Sequence, residues 1–198
     1  MPEAIAAQRI QDATGRIVED RWPLPIDEAF LERLLRDLFE NHHEQLTFGP
    51  IIEGAAYEMK MAEPPKLIAL FDGYLTIRWP GGSHVHLCIG ENRGAGDAAL
   101  AARRRPGRAE LFRELDEDGH PRSWGFRMSN GAGEPQVSIF LPNPFLTATD
   151  DLAATPDWSR LELWDYVRTT YAGAAADGRD TLGAGFGKFL AKEFAVKA

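Results

Sequence analysis

The chain of 198 residues has 22 lysines and arginines against 30 aspartates and glutamates, a formal net charge of −8 at pH 7. Hydrophobic residues make up 44% and charged residues 26% of the chain, which is typical of a globular protein and excludes a disordered or fibrous class. The acidic balance argues against a nucleic-acid partner, because binding to phosphates needs an excess of basic side chains. We expect a single domain over residues 1–198.

The single cysteine, Cys88, excludes an internal disulfide and favours a reducing compartment. The sequence has no apolar run of about 18 residues, the length that indicates a membrane-spanning helix, and no N-terminal pattern of a cleavable leader. We therefore predict a cytoplasmic protein with no membrane partner. The pattern does not indicate an oligomeric state.

Residues 1–20 lack a clear period, and we expect a loose arm or an edge strand there. Asp27 is suited to cap a helix. Apolar residues at helical spacing predict that this helix ends near Asn41; they are Ile26, Phe30, Leu34 and Leu38, with Leu31 and Leu35 beside them. Further helices are predicted from Ala98, over AELFREL, from Thr155 and over KFLAKEF.

Six segments have the composition of short strands: IIEGAAYEMKM, KLIALF, YLTIRW, HVHLCIG, SWGFRMS and QVSIFL. Asp72 and Gly73, between the second and third of them, form the dipeptide that is typical of a tight hairpin. Strands that are grouped together, with helices before and after them, indicate an α+β fold. We expect an antiparallel sheet of about six strands with helices packed mainly on one face.

The segment HVHLCIGE, residues 84–91, carries the strongest chemical signal. Alternate residues of a strand share a face, so His84, His86 and Cys88 are predicted on one face and the apolar residues between them on the other. Imidazole and thiolate are ligands of zinc, iron or copper. The pattern predicts a site for one of these transition metals or for a metal-bearing cofactor such as haem.

A complete metal site needs a ligand from another element. His84 and Cys88 lie about 13 Å apart along a straight strand, too far to share one ion unless the strand bends, whereas either neighbouring pair is close enough. The candidates for a third ligand are Glu91, just past the strand, and His42, which continues the apolar row of the first helix; others are His43, Glu58 and Asp72. A histidine at the negative end of a helix also has a purely structural explanation.

The segment LPNPFL, residues 141–146, restrains Asn143 between two prolines. Together with Trp124 and Phe145, Asn143 is predicted to line a pocket that binds a cofactor or another small-molecule ligand. The alternative is a rigid loop that leaves the sheet.

The spacing His-x-His-x₄-Glu of HVHLCIGE resembles the first metal motif of cupins, in which two histidines and a glutamate bind iron or another transition metal. This resemblance implies a metal enzyme whose ligands are His84, His86 and Glu91. It covers eight residues, Cys88 interrupts the motif, and the only later histidine, His120, is not part of a second motif.

A longer resemblance comes from HVHLCIGENRG, from SWGFRMSNGAGEPQVSIFLPNPFL and from the proline-rich helix start before Asp27. These segments are similar to a bacterial domain family of unknown function, over most of residues 22–172. The resemblance marks HxHLCIG and LPNPFL as signature segments and implies no activity.

Several functional hypotheses stay open. In the first, the protein binds a transition metal or a metal-bearing cofactor, and in an enzyme the ion would be a Lewis acid or redox centre with Glu91 or Glu58 as the base. In the second, the protein is a non-catalytic binding or interaction module; its pocket is walled by Trp79, Trp124 and Phe145.

A third hypothesis is a nucleophilic pair, in which His86 lowers the pKa of the Cys88 thiol. No glycine-rich turn or helix N-terminus that could stabilise an oxyanion is evident beside this pair. The sequence does not decide whether the protein is an enzyme.

Overall fold

A computed structural model describes residues 4–196 of the chain, with side chains through Ala191. The α-helices of this part are Glu28–Asn41 (α1), Ala98–Arg104 (α2), Glu162–Ala172 (α3) and Phe186–Val196 (α4). The strands are Gln8–Gln11 (β1), Ile17–Leu24 (β2), Thr47–Gly49 (β3), Ile51–Ile52 (β4), Ala55–Ala56 (β5), Leu67–Phe71 (β6), Tyr74–Arg78 (β7), His84–Cys88 (β8), Pro106–Leu115 (β9), Pro121–Asn130 (β10) and Pro135–Phe140 (β11). Among these helices, none is long and apolar enough to span a bilayer.

The strands form three sheets. The largest is a six-stranded antiparallel sheet in the order β1-β2-β9-β10-β11-β3. A second sheet has the order β6-β7-β8, and β4 pairs with β5. The α+β class and the six-stranded antiparallel sheet are confirmed, although three of the predicted strands lie in the smaller sheet of β6, β7 and β8.

The six-stranded sheet departs from the sequence prediction at β9 and agrees with it in part at the N-terminus. Residues 109–115, predicted as a helix, belong to β9. The described part of residues 1–20, predicted as a loose arm or an edge strand, supplies the edge strand β1 and the start of β2. From Ala109 to Leu115 both faces of β9 are buried or half-buried, so the apolar residues there do not alternate with polar ones. Two charged residues of β9, Glu110 and Arg113, are also buried and bind other charged side chains. Because this burial removes the alternation that is typical of a strand, the sequence of residues 109–115 resembles that of a helix.

The chain divides into two compact units. The first consists of the described parts of Met1–Pro23, Leu111–Gly125 and Phe140–Ala198, and the second of Leu24–Glu110 and Phe126–Ile139. The expectation of a single domain stays a prediction.

Helix α1 supplies much of the core of the second unit. Asp27 caps it by accepting a hydrogen bond from the Phe30 N–H at 2.9 Å, and the helix ends at Asn41 as predicted. Its buried stripe is Leu31, Leu34, Leu35, Leu38 and Phe39. Burial of each such side chain contributes about 1.5–3 kcal/mol to stability. Phe39 extends this core by edge-on contacts with the rings of Phe48 and Trp79.

Candidate functional site

The sheet of β6, β7 and β8 lies in the second unit and presents an inner and an outer face. Leu75 and Ile77 of β7 and Leu87 of β8 are buried on the inner face. We call the opposite side the outer face; its strand residues are Leu67, Ala69, Phe71, Tyr74, Thr76, Arg78, His84, His86 and Cys88. The alternation of apolar and polar residues along β8 therefore directs both histidines outward.

The backbone fixes the tautomer of His84. Its Nδ1 lies 2.9 Å from the carbonyl oxygen of Gly82. A carbonyl oxygen only accepts hydrogen bonds, so Nδ1 carries the proton, and the neutral ring has its lone pair on Nε2. The turn before β8 allows this contact because Gly81 and Gly82 have positive φ values of 78° and 95°. Metal-binding histidines are commonly oriented by such a bond from their second ring nitrogen.

His86 lies beside His84 on the outer face. Its Nδ1 is 2.7 Å from Oγ1 of Thr76, the residue directly opposite on β7. The two imidazole rings have centroids 5.0 Å apart and planes inclined at 70°. Both side chains are exposed. The structure thus brings together the two histidines of the predicted metal set.

Cys88 follows the same alternation along the strand but is buried. Its Sγ donates to the carbonyl oxygen of Gly90 at 3.6 Å. Burial raises the pKa of the Cys88 thiol, although the nearby charges of Arg104 and Arg105 act in the opposite direction. A protonated, buried thiol is a poor metal ligand and a poor nucleophile. These properties disfavour both predicted roles of Cys88.

Glu91 and His42 are the two remaining members of the predicted metal set. Glu91 is exposed and lines a cleft of about 410 Å³ with Glu28, Gly90 and Arg105. His42 is the C-terminal cap of α1, where its N–H donates to the Leu38 carbonyl. Among the residues that the structure describes, no three histidine, cysteine, aspartate or glutamate side chains are close enough to hold a metal ion. Of the predicted metal set, the structure brings His84 and His86 together as a pair.

Asp72, a further candidate ligand, has a structural role. Its carboxylate accepts hydrogen bonds from the backbone N–H groups of Arg93 and Gly94 at 2.8 and 2.9 Å. The side chain of Asn92 donates a third at 2.8 Å. This carboxylate fixes the loop that follows β8 onto the hairpin between β6 and β7.

The predicted cofactor pocket of Trp124, Asn143 and Phe145 lies in the first unit, where all three residues have internal partners. Trp124 is buried, and its Nε1 donates to Asp180 at 2.7 Å. Asn143 donates to the Arg122 carbonyl and accepts from the Phe145 N–H, at 2.8 and 2.9 Å. Phe145 is buried in an aromatic cluster with Trp124, Trp158, Phe186 and Phe189. These contacts favour the alternative of a rigid loop leaving the sheet.

The first unit contains a buried charge network, centred on Asp180, that was not predicted from the sequence. One oxygen of its carboxylate accepts from Arg113 at 2.9 Å and from Trp124. The other accepts from Arg168 at 3.2 Å and from Trp164 at 3.1 Å. The visible signal was a charged residue between apolar ones, as in LFREL for Arg113.

Arg113 is the matching cation of this buried network. Only 1% of its side chain is exposed, and it contacts Asp20 at 2.6 Å and Asp177 at 2.9 Å as well as Asp180. Burial by itself would lower the pKa of Arg113, but these aspartates raise it above its ordinary value. The guanidinium also lies over the ring of Trp22, 5.5 Å from its centroid. These ion pairs hold the segment around Asp180 in place, although Oδ1 of Asp20 and Nε of Arg168 are buried without a hydrogen-bond partner among the described residues.

Comparison with known proteins gives a family and no activity. The model of a family of unknown function, DUF7676, matches residues 7–173, which confirms the resemblance to a domain family of that kind. A solved structure titled "Crystal structure of ChuX" is 13% identical to this chain, covers 77% of it and 76% of its own chain, and has a TM-score of 0.47. This likeness is too low to support a functional argument. No curated protein matches the chain. Because the family model covers most of its length, the chain belongs to the family of unknown function DUF7676.

Proposed function

We propose that the second unit binds a transition metal ion, or a cofactor that carries one, through His84 and His86. The observation that carries this proposal is the spacing of the two exposed rings. Two imidazoles that bind one zinc ion at a tetrahedral angle, with bonds of about 2.1 Å, have ring centres about 5 Å apart. The ring centroids of His84 and His86 are 5.0 Å apart.

The hydrogen bonds of the two rings support the same proposal. The Gly82 carbonyl leaves Nε2 of His84 as the nitrogen that binds the metal, and Thr76 holds the ring of His86 beside it. Imidazole nitrogen suits zinc, iron and copper, so both rings would bind a bare ion, whereas the iron of haem would be held by one of them. Two protein ligands leave open positions on a bare ion, where water or a small-molecule ligand would bind. The single thiol suits the reducing cytoplasm, where we propose that the protein acts.

Metal analysis tests this proposal. Tag-free protein purified without chelator is measured by plasma mass spectrometry, and metal-free protein is titrated with Zn²⁺, Cu²⁺ and Fe²⁺ by calorimetry. We expect near-stoichiometric binding that the double variant His84→Ala/His86→Ala loses. Because both side chains are exposed, this variant should keep its fold and melting temperature.

His120→Ala is the matched control. His120 lies in the first unit and contacts Asp116, so its removal should leave metal binding unchanged. Equal metal binding by the wild type and the double variant would contradict the proposal, as would the absence of binding by the wild type for all three ions.

A further inference from the structure

The outer face carries positive charge that has no counter-ion among the residues the structure describes. None of its nine strand residues is acidic, although the chain as a whole has a net charge of −8. The nearest acidic residue along these strands, Asp72, directs its carboxylate to the backbone of Arg93 and Gly94. The outer face therefore differs in charge from the protein that surrounds it.

Arg78 supplies the permanent charge of this face. It lies at the end of β7, directly opposite His84 on β8 and opposite Leu67 on β6. Its side chain is exposed, and within residues 4–191 its guanidinium forms no ion pair or hydrogen bond. Directly opposed residues of antiparallel strands have Cβ atoms about 4.5–5.5 Å apart, so one small group can contact the side chains of both Arg78 and His84.

A metal ion on the two histidines would increase this unbalanced charge. A divalent ion bound by neutral imidazoles keeps both its charges, and no carboxylate of the described chain is gathered with His84 and His86 to offset them. An anion that binds the ion and Arg78 together would balance this charge. A carboxylate fits best, because its two oxygens match the planar donor pair of a guanidinium.

We propose that the ligand of this site carries a carboxylate group, which Arg78 holds beside the metal on His84 and His86. This inference rests on the proposed metal site. The carboxylate has two possible sources: a small dicarboxylate that binds a bare ion, or the acidic side groups of a metal-bearing macrocycle such as haem. Leu67, which is 49% exposed beside Arg78, offers an apolar contact for the body of either ligand.

Two titrations separate the sources. In the first, malonate is titrated by calorimetry into zinc-loaded protein, with metal-free protein as the baseline. In the second, haemin and haemin dimethyl ester, whose carboxylates are blocked, are titrated by Soret absorbance. We expect Arg78→Gln to weaken the binding of malonate or of haemin by about tenfold, the usual effect of losing a charge-assisted hydrogen bond. Arg78→Gln should bind haemin and haemin dimethyl ester with equal affinity.

Arg93→Gln is the matched control, because Arg93 is an exposed arginine of the same unit whose side chain has no ion pair within the described residues. It should bind both ligands as the wild type does, and Zn²⁺ affinity should stay within about threefold in both arginine variants. Preserved Zn²⁺ binding together with unchanged malonate and haemin affinities in Arg78→Gln would overturn this inference alone. Wild-type protein that binds neither malonate nor haemin would also overturn this inference. Zinc binding that survives His84→Ala/His86→Ala would overturn the proposed function instead.

Discussion

In the first unit Arg113 and Arg168 are buried and each contacts aspartate carboxylates, whereas in the second unit Arg78 is exposed and has no ion-pair partner within the described residues. The buried guanidiniums also lie over the Trp22 ring, so their charges are surrounded by protein groups. A charge that is already neutralised inside a core has a structural role, while an exposed charge left open can bind a ligand. The buried arginines are therefore assigned a structural role and Arg78 a binding role. Substitutions in either unit can test this assignment.

The largest expected effect concerns Asp180, the hub of the buried network. Asp180→Asn leaves Arg113 and Arg168 with less negative charge in a buried setting, which should lower the free energy of unfolding by about 3–5 kcal/mol. Urea denaturation followed by tryptophan fluorescence measures this loss. Metal binding by the folded variant should be unchanged, because Asp180 lies in the other unit from His84 and His86.

The control for Asp180→Asn is Glu134→Gln. Glu134 pairs with Arg103 at 2.8 Å, but both side chains are more than half exposed. Loss of such a pair should cost less than about 1 kcal/mol. Similar losses of stability in the two variants would show that the buried network is no more important than a surface ion pair.

The buried network also shows where prediction from sequence stops. Asp20 and Arg113 are 93 residues apart in the chain, and Arg113 and Asp180 are 67 apart. No local period connects them, and although the apolar neighbours of Arg113 suggest its burial, they do not identify the aspartates that pair with it. Strand β9 was predicted as a helix for the same reason, since partners on distant segments decide which of its residues are buried.

Features that depend on local sequence were predictable. The cap at Asp27 and the leucine stripe set the limits of α1, and the strand period gave the shared face of His84 and His86. The burial of Cys88 was not predictable, because the strand period places it on the same face as the exposed His84 and His86. The internal partners of Trp124 and Asn143 likewise come from segments that the sequence pattern does not connect.

An effect of intermediate size is expected on the outer face, where loss of the Thr76 hydroxyl should weaken metal binding more than loss of the Cys88 thiol. Thr76→Val removes the hydroxyl that contacts Nδ1 of His86 while it preserves the side-chain shape. Loss of such an orienting partner should lower metal affinity by about tenfold. Calorimetric titration with Zn²⁺ measures the change against the wild type.

Cys88→Ala is the comparison for Thr76→Val. Because Sγ of Cys88 is buried and donates to the Gly90 carbonyl, its loss should leave Zn²⁺ affinity within about twofold. A larger loss in Cys88→Ala than in Thr76→Val would make the thiol a metal ligand and would return Cys88 to the site.

The smallest effect concerns two aspartates at the rim of the buried network. Burial by itself would raise the pKa of Asp177, but hydrogen bonds from the Arg179 backbone and from Arg113 lower it. The pKa of Asp165 is raised, chiefly by burial and against the charge of Arg168. Asp177 therefore stabilises the fold above the ordinary carboxyl pKa of about 4, and this contribution is lost as the pH falls through its lower folded value. Ionised Asp165 has the opposite effect on stability. It destabilises the fold at neutral pH, and this destabilisation is relieved as the pH falls through the raised pKa of Asp165 in the folded state.

Urea midpoints between pH 7 and pH 3 should display these opposite signs. Asp177→Asn should make the loss of stability on acidification shallower than in the wild type, because it removes a group that must take up a proton. Asp165→Asn should make the loss steeper, because it removes a group whose protonation favours the folded state. Parallel pH profiles for the two variants would mean that Arg113 and Arg168 do not distinguish the carboxylates around them. The contrast between an ion-paired interior and an open outer face would then depend on the outer face alone.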